Sequence, residues 1–196
     1  MKNIFVTATD TDAGKTFVAC ALTQALINAR KKVAVYKPIS AGCFRQDGSL
    51  INEDAQRLSQ FANCGQKINE INPIAFLEPI APHIAAQQGD YEISIDEITQ
   101  GYNQVKAKNA DFTITEGAGG WRLPLSISQG NNVFLSDFVK ANKQQVILVV
   151  NMKLGCLNHA MLTYEMIKAD GLVCLGWVAN TASSEPMSNL TENINS

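Results

Sequence analysis

The chain has 196 residues, 46% of them hydrophobic and 17% charged, with 16 Lys and Arg against 18 Asp and Glu. That composition excludes disorder as the dominant state and suffices for one well-buried domain without disulfides or structural metal. A net charge of −2 excludes a global cationic field for nucleic acid or an anionic membrane, so any anionic ligand must be held by a local site.

In chain order, Ile4 to Ala8 reads as a β-strand and Lys15 to Ala29 as a helix, with Val18, Leu22, Ala25, Leu26 and Ala29 on one face. Lys32 to Lys37 is a second strand, stopped by Pro38. Glu53 to Phe61 is a short helix. Asn72 to Asp90, rich in Pro and Ala, is mainly loop with room for a short helix. Ile95 to Lys108 is amphipathic. Phe112 to Thr115 is a strand that runs into the glycine turn Glu116-Gly117-Ala118-Gly119-Gly120. Val133 to Ala141 reads as a helix, Gln145 to Asn151 as a buried strand, Asn158 to Ala169 as a helix and Leu172 to Asn180 as a strand. Ser184-Glu185-Pro186 is a helix start, with Met187, Leu190 and Ile194 following at helical spacing. Alternating strands and helices predict an α/β fold: a mostly parallel sheet with helices on both faces, in a single domain over residues 1–196.

Five cysteines (Cys20, Cys43, Cys64, Cys156, Cys174) show no CxxC spacing, and Met1-Lys2-Asn3 enters a strand with no secretory leader. This predicts reduced thiols and a cytoplasmic protein. No apolar run approaches the ~20 residues of a membrane span. His83 and His159 lack ligand spacing, which argues against zinc.

Chemistry concentrates at Thr9-Asp10-Thr11-Asp12-Ala13-Gly14-Lys15-Thr16, between the first strand and the first helix. The ending Gly-Lys-Thr matches the P-loop, with Thr9 at the place of the consensus first glycine. Free N–H groups and the helix dipole face an anion there. Lys15 can reach the β- and γ-phosphates, and the Thr16 hydroxyl can ligate Mg²⁺. Metal-bound triphosphate also calls for carboxylates. Glu116 and Asp54 both fall at the carboxyl edge of a parallel sheet, beside this loop. Taken alone, Glu116 is a solvated turn residue and Asp54 a helix-start charge. Lys37, ending the second strand, aims at the same edge and can neutralise a phosphoryl group in transfer. Partitioning-type ATPases carry a lysine at the position of Thr9, and GTPases carry an aspartate after Asn151-Met152-Lys153 where this chain has Leu154; both readings weaken.

These residues, together with Tyr36-Lys37-Pro38, Asn72-Pro73, Glu78-Pro79, Pro82-His83, Gly120-Trp121, Lys153-Leu154-Gly155-Cys156-Leu157-Asn158-His159-Ala160 and Trp177-Val178-Ala179-Asn180, make the chain similar to the dethiobiotin synthase family. The resemblance spans residues 3 to 180 and implies a P-loop NTPase-like fold. It also implies an ATP- and Mg²⁺-dependent cyclo-ligase of biotin biosynthesis, with 7,8-diaminononanoate, CO₂ or bicarbonate, and ATP as substrates. By the family pattern, Lys15 and Lys37 are catalytic, and Thr16, Asp54 and Glu116 hold the metal. Asp12, Ala13, Gly14, Lys15, Thr16, Phe17, Gly117, Ala118, Gly119 and Asn180 line the nucleotide. Thr11, Asp12, Lys37 and the position of Ala41 face the diamine. Leu154, Gly155, Cys156 and Asn158, at a helix start, receive its carboxylate across a homodimer interface. Core or interface packing is the competing role of Cys156 and His159, and Trp121 is expected to form a pocket wall.

Three features depart from the family pattern. Ala8 stands where glycine is usual. Ala41 stands where a hydroxyl is usual, with Ser40 beside it pointing the other way in extended chain. Related chains run some tens of residues further, so a bare sheet edge and a missing purine loop are expected. The rival functions are a partitioning or switch-type P-loop ATPase and an inactive paralogue.

Overall fold

The computed structural model describes residues 1–128, 131–182 and 187–195. In chain order the elements are β1 (Lys2–Ala8), α1 (Lys15–Asn28), β2 (Val33–Tyr36), β3 (Ile39–Ser40), β4 (Phe44–Gln46), β5 (Ser49–Ile51), α2 (Glu53–Phe61), α3 (Ile68–Ile71) and β6 (Ile74–Ala75). There follow α4 (Pro82–Gln88), α5 (Ile95–Lys106), β7 (Phe112–Glu116), β8 (Pro124–Ser128), β9 (Asn131–Phe134), α6 (Leu135–Ala141), β10 (Gln145–Asn151), α7 (Cys156–Ala169), β11 (Cys174–Asn180) and α8 (Leu190–Asn195).

Five strands form one sheet in the order β11-β10-β1-β7-β2, and every pair in it is parallel. The expected parallel sheet with helices is therefore present. Strand alternation explains why both faces are covered. In β1, Ile4, Val6 and Ala8 enter one apolar cluster with α1 and α2, through Val18, Ala19 and Leu58. Phe5 points the other way, into a cluster with Ile98, Tyr102, Phe138 and Ile167 from α5, α6 and α7. β2 repeats the division: Val33 and Val35 on the first side, Ala34 and Tyr36 on the second. The Tyr36, Tyr102 and Phe138 rings meet at 5.4–6.3 Å between centroids in the second cluster.

Register places the functional ends together. Val6 pairs with Glu116, Ala8 with Val149, Tyr36 with Thr115 and Asn151 with Asn180. Glu116, Lys37, Asn180 and the β1–α1 loop therefore share the carboxyl edge of the sheet. Connections from β1 and β10 leave in opposite directions, which opens a crevice at that edge.

The helices α2 and α5 begin where the sequence pattern puts them. Asn52 and Ser94 occupy their N-caps and accept from the N–H groups of Ala55 and Glu97 at 3.3 and 3.1 Å. One helix starts later than expected. Asn131–Phe134 pairs antiparallel with Pro124–Ser128, so α6 begins at Leu135 and not at Val133. The Asp137 carboxylate accepts from Phe134 N–H at 2.9 Å and caps that start. The stretch 72–90 contains more structure than a loop. Ile74–Ala75 pairs with Ile39–Ser40, and α4 begins on Pro82 at its first turn. A further hairpin, Phe44–Gln46 against Ser49–Ile51, turns on Asp47-Gly48, both at positive φ. The expected helix start at Ser184–Pro186 lies outside the described residues, while Leu190–Asn195 is helical. All five cysteines are free thiols. Among the described residues no helix is long and apolar enough to cross a membrane.

Candidate active site

The β1–α1 loop is anchored to the neighbouring strand β10. Thr9 N–H donates to Val149 O at 3.0 Å, and Asn151 N–H reaches Thr9 Oγ1 at 3.3 Å, which ties the loop to β10. At the N-cap of α1, Gly14 has φ +89°. A Cβ there would lie 2.1 Å from Asn180 Nδ2, so both conformation and space require glycine. Asn180 Nδ2 donates to Ala13 O at 2.8 Å, joining the end of β11 to this loop.

Lys15, Lys37, Thr16, Asp54 and Glu116 converge beside Gly14. Lys37 Nζ stands 2.8 Å from Glu116 Oε1 and 3.2 Å from Asp54 Oδ2. Side-chain exposure is 4% for Lys37 and 1% for Glu116, so this ion pair is desolvated. Thr16 Oγ1 donates to the same Glu116 oxygen at 2.8 Å. The second oxygen, Glu116 Oε2, is buried and has no hydrogen-bond partner among the described residues. Lys15 Nζ reaches Asp10 O at 3.3 Å.

Titration follows from these neighbours. Burial lowers the Lys15 ammonium pKa, and the nearby Lys37 charge lowers it further, against the pull of Glu116 and Asp54. Lys37 goes the other way: burial opposes its charge, but Glu116 and Asp54 overcome burial and hold it above the ordinary lysine value. Burial raises Asp54, but Lys37, the Thr16 hydroxyl and Lys15 outweigh it, leaving the carboxyl below its ordinary value. Asp54 and Lys37 therefore keep opposite charges across the neutral range.

A cleft of about 1020 Å³ opens on this cluster. Of the expected site residues, Thr11, Asp12, Gly14, Lys15, Thr16, Phe17, Lys37, Ala41, Asp54, Glu116, Ala118, Gly119 and Asn180 line it. Ala13 and Gly117 lie beneath the lining: Ala13 is fully buried, and Gly117 rests on the Phe5 ring, where a Cβ would come within 2.8 Å. Leu154, Gly155, Cys156 and Asn158 are not brought to this cleft within one chain. Leu154 is 94% exposed, whereas Cys156 is buried against Leu148, Val150 and Met152, the packing role weighed for it from sequence. Trp121 forms no cleft wall. It sits behind the glycine turn, edge-on to Phe5 at 6.0 Å. Ser40 Oγ donates to Asn72 Oδ1 at 2.7 Å and lies 3.2 Å from Cys43 Sγ, so its hydroxyl is engaged in the protein beside Ala41.

Sequence reasoning missed several lining residues. Asn52 and Arg57 flank Asp54 on α2, and Pro79, Ile80, Ala81 and Pro82 form the opposite lip. Asn52 carried a signal, an Asx N-cap ahead of Glu53-Asp54. The lip had none beyond its prolines.

The donor set suits a divalent ion of the magnesium kind. Two carboxylates and a hydroxyl, with one carboxylate oxygen unpartnered, leave positions for phosphate oxygens and water. Among the described residues no cluster of three or more His, Cys, Asp or Glu side chains could enclose a metal without such help.

Residues 2–195 match the family described as AAA domain. The ATP-dependent dethiobiotin synthetase BioD of Alteromonas mediterranea is 51% identical over 202 residues, covering 100% of this chain and 86% of the relative. This chain belongs to the dethiobiotin synthetase family. It is thereby an ATP-dependent ligase of biotin biosynthesis acting on small molecules. The BioD of Pseudoalteromonas translucida is 47% identical, covering 92% of this chain and 78% of that protein. Among solved structures, the kinase domain of the Escherichia coli tyrosine kinase ETK shares the fold at a TM-score of 0.52, with 15% identity over 95% of this chain and 71% of that one. The chimerical protein CapA2B2 gives 0.53, with 19% identity over 90% of this chain and 74% of that one. Both likenesses concern fold alone. Family membership weakens the partitioning or switch reading.

Proposed function

We propose that this chain closes the ureido ring of dethiobiotin from 7,8-diaminononanoate, CO₂ and ATP, with Mg²⁺ bound at Thr16, Asp54 and Glu116. The observation that carries the reading is the buried Lys37–Glu116 pair, with Thr16 on the same carboxylate and Lys15 beside it. One amine of the diamine adds to CO₂ and loses a proton, giving a carbamate. A carbamate oxygen attacks the γ-phosphorus, the bond to the β-phosphate oxygen breaks, and ADP leaves. The second amine then attacks the carbonyl carbon of the mixed anhydride, expels phosphate and closes the ring.

Two anions must meet in line, and Lys15 and Lys37 supply the positive charge that permits it. Bound magnesium would add charge neutralisation at the phosphates. Lys37 stays protonated because its two carboxylate neighbours hold its pKa up, so it acts as a fixed cation. Thr11 and Asp12 are at the mouth of the cleft, where a diamine would enter. The backbone at Gly117, Ala118 and Gly119 follows the nucleotide or the carbamate. Asn180 is oriented by Ala13 O, leaving its amide oxygen for a purine edge.

Leu154, Gly155 and Asn158 would serve the second copy in a homodimer, with Cys156 packed beneath them inside its own chain. Leu157, Met161 and Leu162 stand exposed on α7 and support such an interface. A carboxylate suits the first turn of this 14-residue helix. With Ala41 beside an engaged Ser40, the amine contact there falls to backbone.

The test is phosphate release from ATP with Mg²⁺ and bicarbonate, with and without the diamine. Release that requires the diamine is expected. Diamine-independent release would favour a switch ATPase, and ATP binding without release an inactive paralogue.

A further inference from the structure

Asp170, at the C-cap of α7, is an acidic residue that the chemistry above leaves unused, and its side chain is only 5% exposed. It gathers three donors. Its Oδ2 accepts from Trp121 Nε1 at 2.9 Å, and its Oδ1 accepts from an Arg122 guanidinium nitrogen at 2.9 Å. Lys140 Nζ on α6 stands 3.4 Å from Oδ1. Arg122 in turn reaches Ser136 Oγ at 3.2 Å and lies over the Phe134 ring at 5.3 Å. One carboxylate thus binds the residues directly after the glycine turn to α6 and α7.

The turn answers to that hold. Trp121 packs edge-on against Phe5, and Phe5 fills the space where a side chain at Gly117 would stand. Gly117 O lies 3.5 Å from Lys37 Nζ, and the preceding residue is Glu116. An indole that shifted would let Phe5 and Gly117 shift, and with them the Lys37–Glu116 pair. A charged acceptor with two cations beside it is a stiff anchor for a neutral N–H donor.

We propose that Asp170 is a positioning residue: through Trp121 and Phe5 it sets the glycine turn, and so the placement of Glu116 and Lys37 toward metal and phosphate. The proposal rests on the ligase reading of the cleft. It also gives α7 two duties, a clamp on its own subunit's turn at one end and the exposed Leu154–Asn158 start at the other.

Asp170→Asn and Trp121→Phe are compared with the parent, the second variant removing the indole N–H together with part of the ring that packs on Phe5. The folding midpoint, the Mg²⁺ dependence of ATP binding and phosphate release per folded enzyme are read in each. The Mg²⁺ concentration for half-maximal ATP binding is expected to rise about fivefold, and kcat to fall about tenfold, with the diamine KM within about twofold. Asp170→Glu, which restores the carboxylate, should recover most of both. In a Trp177→Phe background Trp121 is the sole tryptophan, and its emission should shift to the red in Asp170→Asn. A lower folding midpoint with unchanged Mg²⁺ dependence and unchanged kcat would overturn the proposal and leave Asp170 a structural brace. If Asp170→Asn fails to fold, Trp121→Phe carries the test by the same two outcomes. If the parent releases no phosphate in response to the diamine, the ligase reading fails, and the Mg²⁺ dependence of ATP binding alone decides the clamp.

Discussion

The phosphate rim and the start of α7 are opposites in construction. At the rim, Lys37 and Glu116 are buried and paired, the half-buried Thr16 donates to the same Glu116 oxygen, and Asn180 and Gly14 interlock with no room to spare. At the start of α7, Leu154 stands in solvent, and Leu157, Met161 and Leu162 continue an exposed apolar face. The rim is finished within one chain. Among the described residues Leu154, Leu157, Met161 and Leu162 keep much of their surface uncovered, which supports the proposed interface with a second copy. On the proposed reading, charge chemistry is built where side chains are buried and interlocked, and reach toward the diamine carboxylate falls to this exposed face.

The comparison breaks most sharply at Lys37. Lys37→Ala leaves Glu116 buried without its cation, so a loss of about 3–5 kcal/mol in folding stability is expected, along with at least about 10³-fold in turnover. Calorimetry and phosphate release measure the two. A Lys37→Met, Glu116→Gln double variant should recover stability and stay inactive, because it removes the unpaired charge and the chemistry together.

Lys15→Ala is next. It should cost about 10²–10³-fold in kcat with little effect on folding, because burial already opposes this charge. The sign of the pH effect follows from its depressed pKa. Lys15 is charged below that pKa and loses its proton before Lys37 as pH rises. The alkaline limb of kcat/KM should therefore fall below the ordinary lysine range, and Lys15→Arg should move it upward. An alkaline limb unchanged in Lys15→Arg would remove Lys15 from that role.

Gly14→Ala probes the interlock. Positive φ and the 2.1 Å approach to Asn180 predict about 1–3 kcal/mol of lost stability, seen in the unfolding midpoint. Weaker ATP binding should accompany it.

Asn158→Ala tests the other region. The diamine KM should rise roughly tenfold, with ATP affinity unchanged. Mixing Asn158→Ala with Lys15→Ala subunits should restore activity, since one site of the mixed dimer then has an intact rim and an intact partner. No restoration would place Asn158 in its own subunit's site or in none.

Much of the fold was legible because strand period and burial agree. Gln145–Asn151 and Glu53–Phe61 fall where apolar runs and helix starts put them. The rim was legible because Gly-Lys-Thr, Lys37 and Glu116 sit at strand ends, and parallel pairing must bring strand ends to one edge. The β8–β9 hairpin was not, since Val133 and Phe134 fit helical spacing equally well and pairing with Pro124–Ser128 decided the outcome. The Asp47-Gly48 turn did carry its two-residue hairpin signal. Asp170 was illegible, because its partners Trp121 and Lys140 are joined to it only by tertiary packing. The same holds for the Pro79–Pro82 lip, which has no residue type that names a ligand.

The most direct measurement is a crystal structure of this protein with a non-hydrolysable ATP analogue and Mg²⁺. The triphosphate should lie along Gly14-Lys15-Thr16, with the ion on Thr16 Oγ1, Asp54 and Glu116 Oε2, and with Lys37 turned to the γ-phosphate. A triphosphate bound away from Gly14, or an ion that leaves Glu116 Oε2 untouched, would contradict the account.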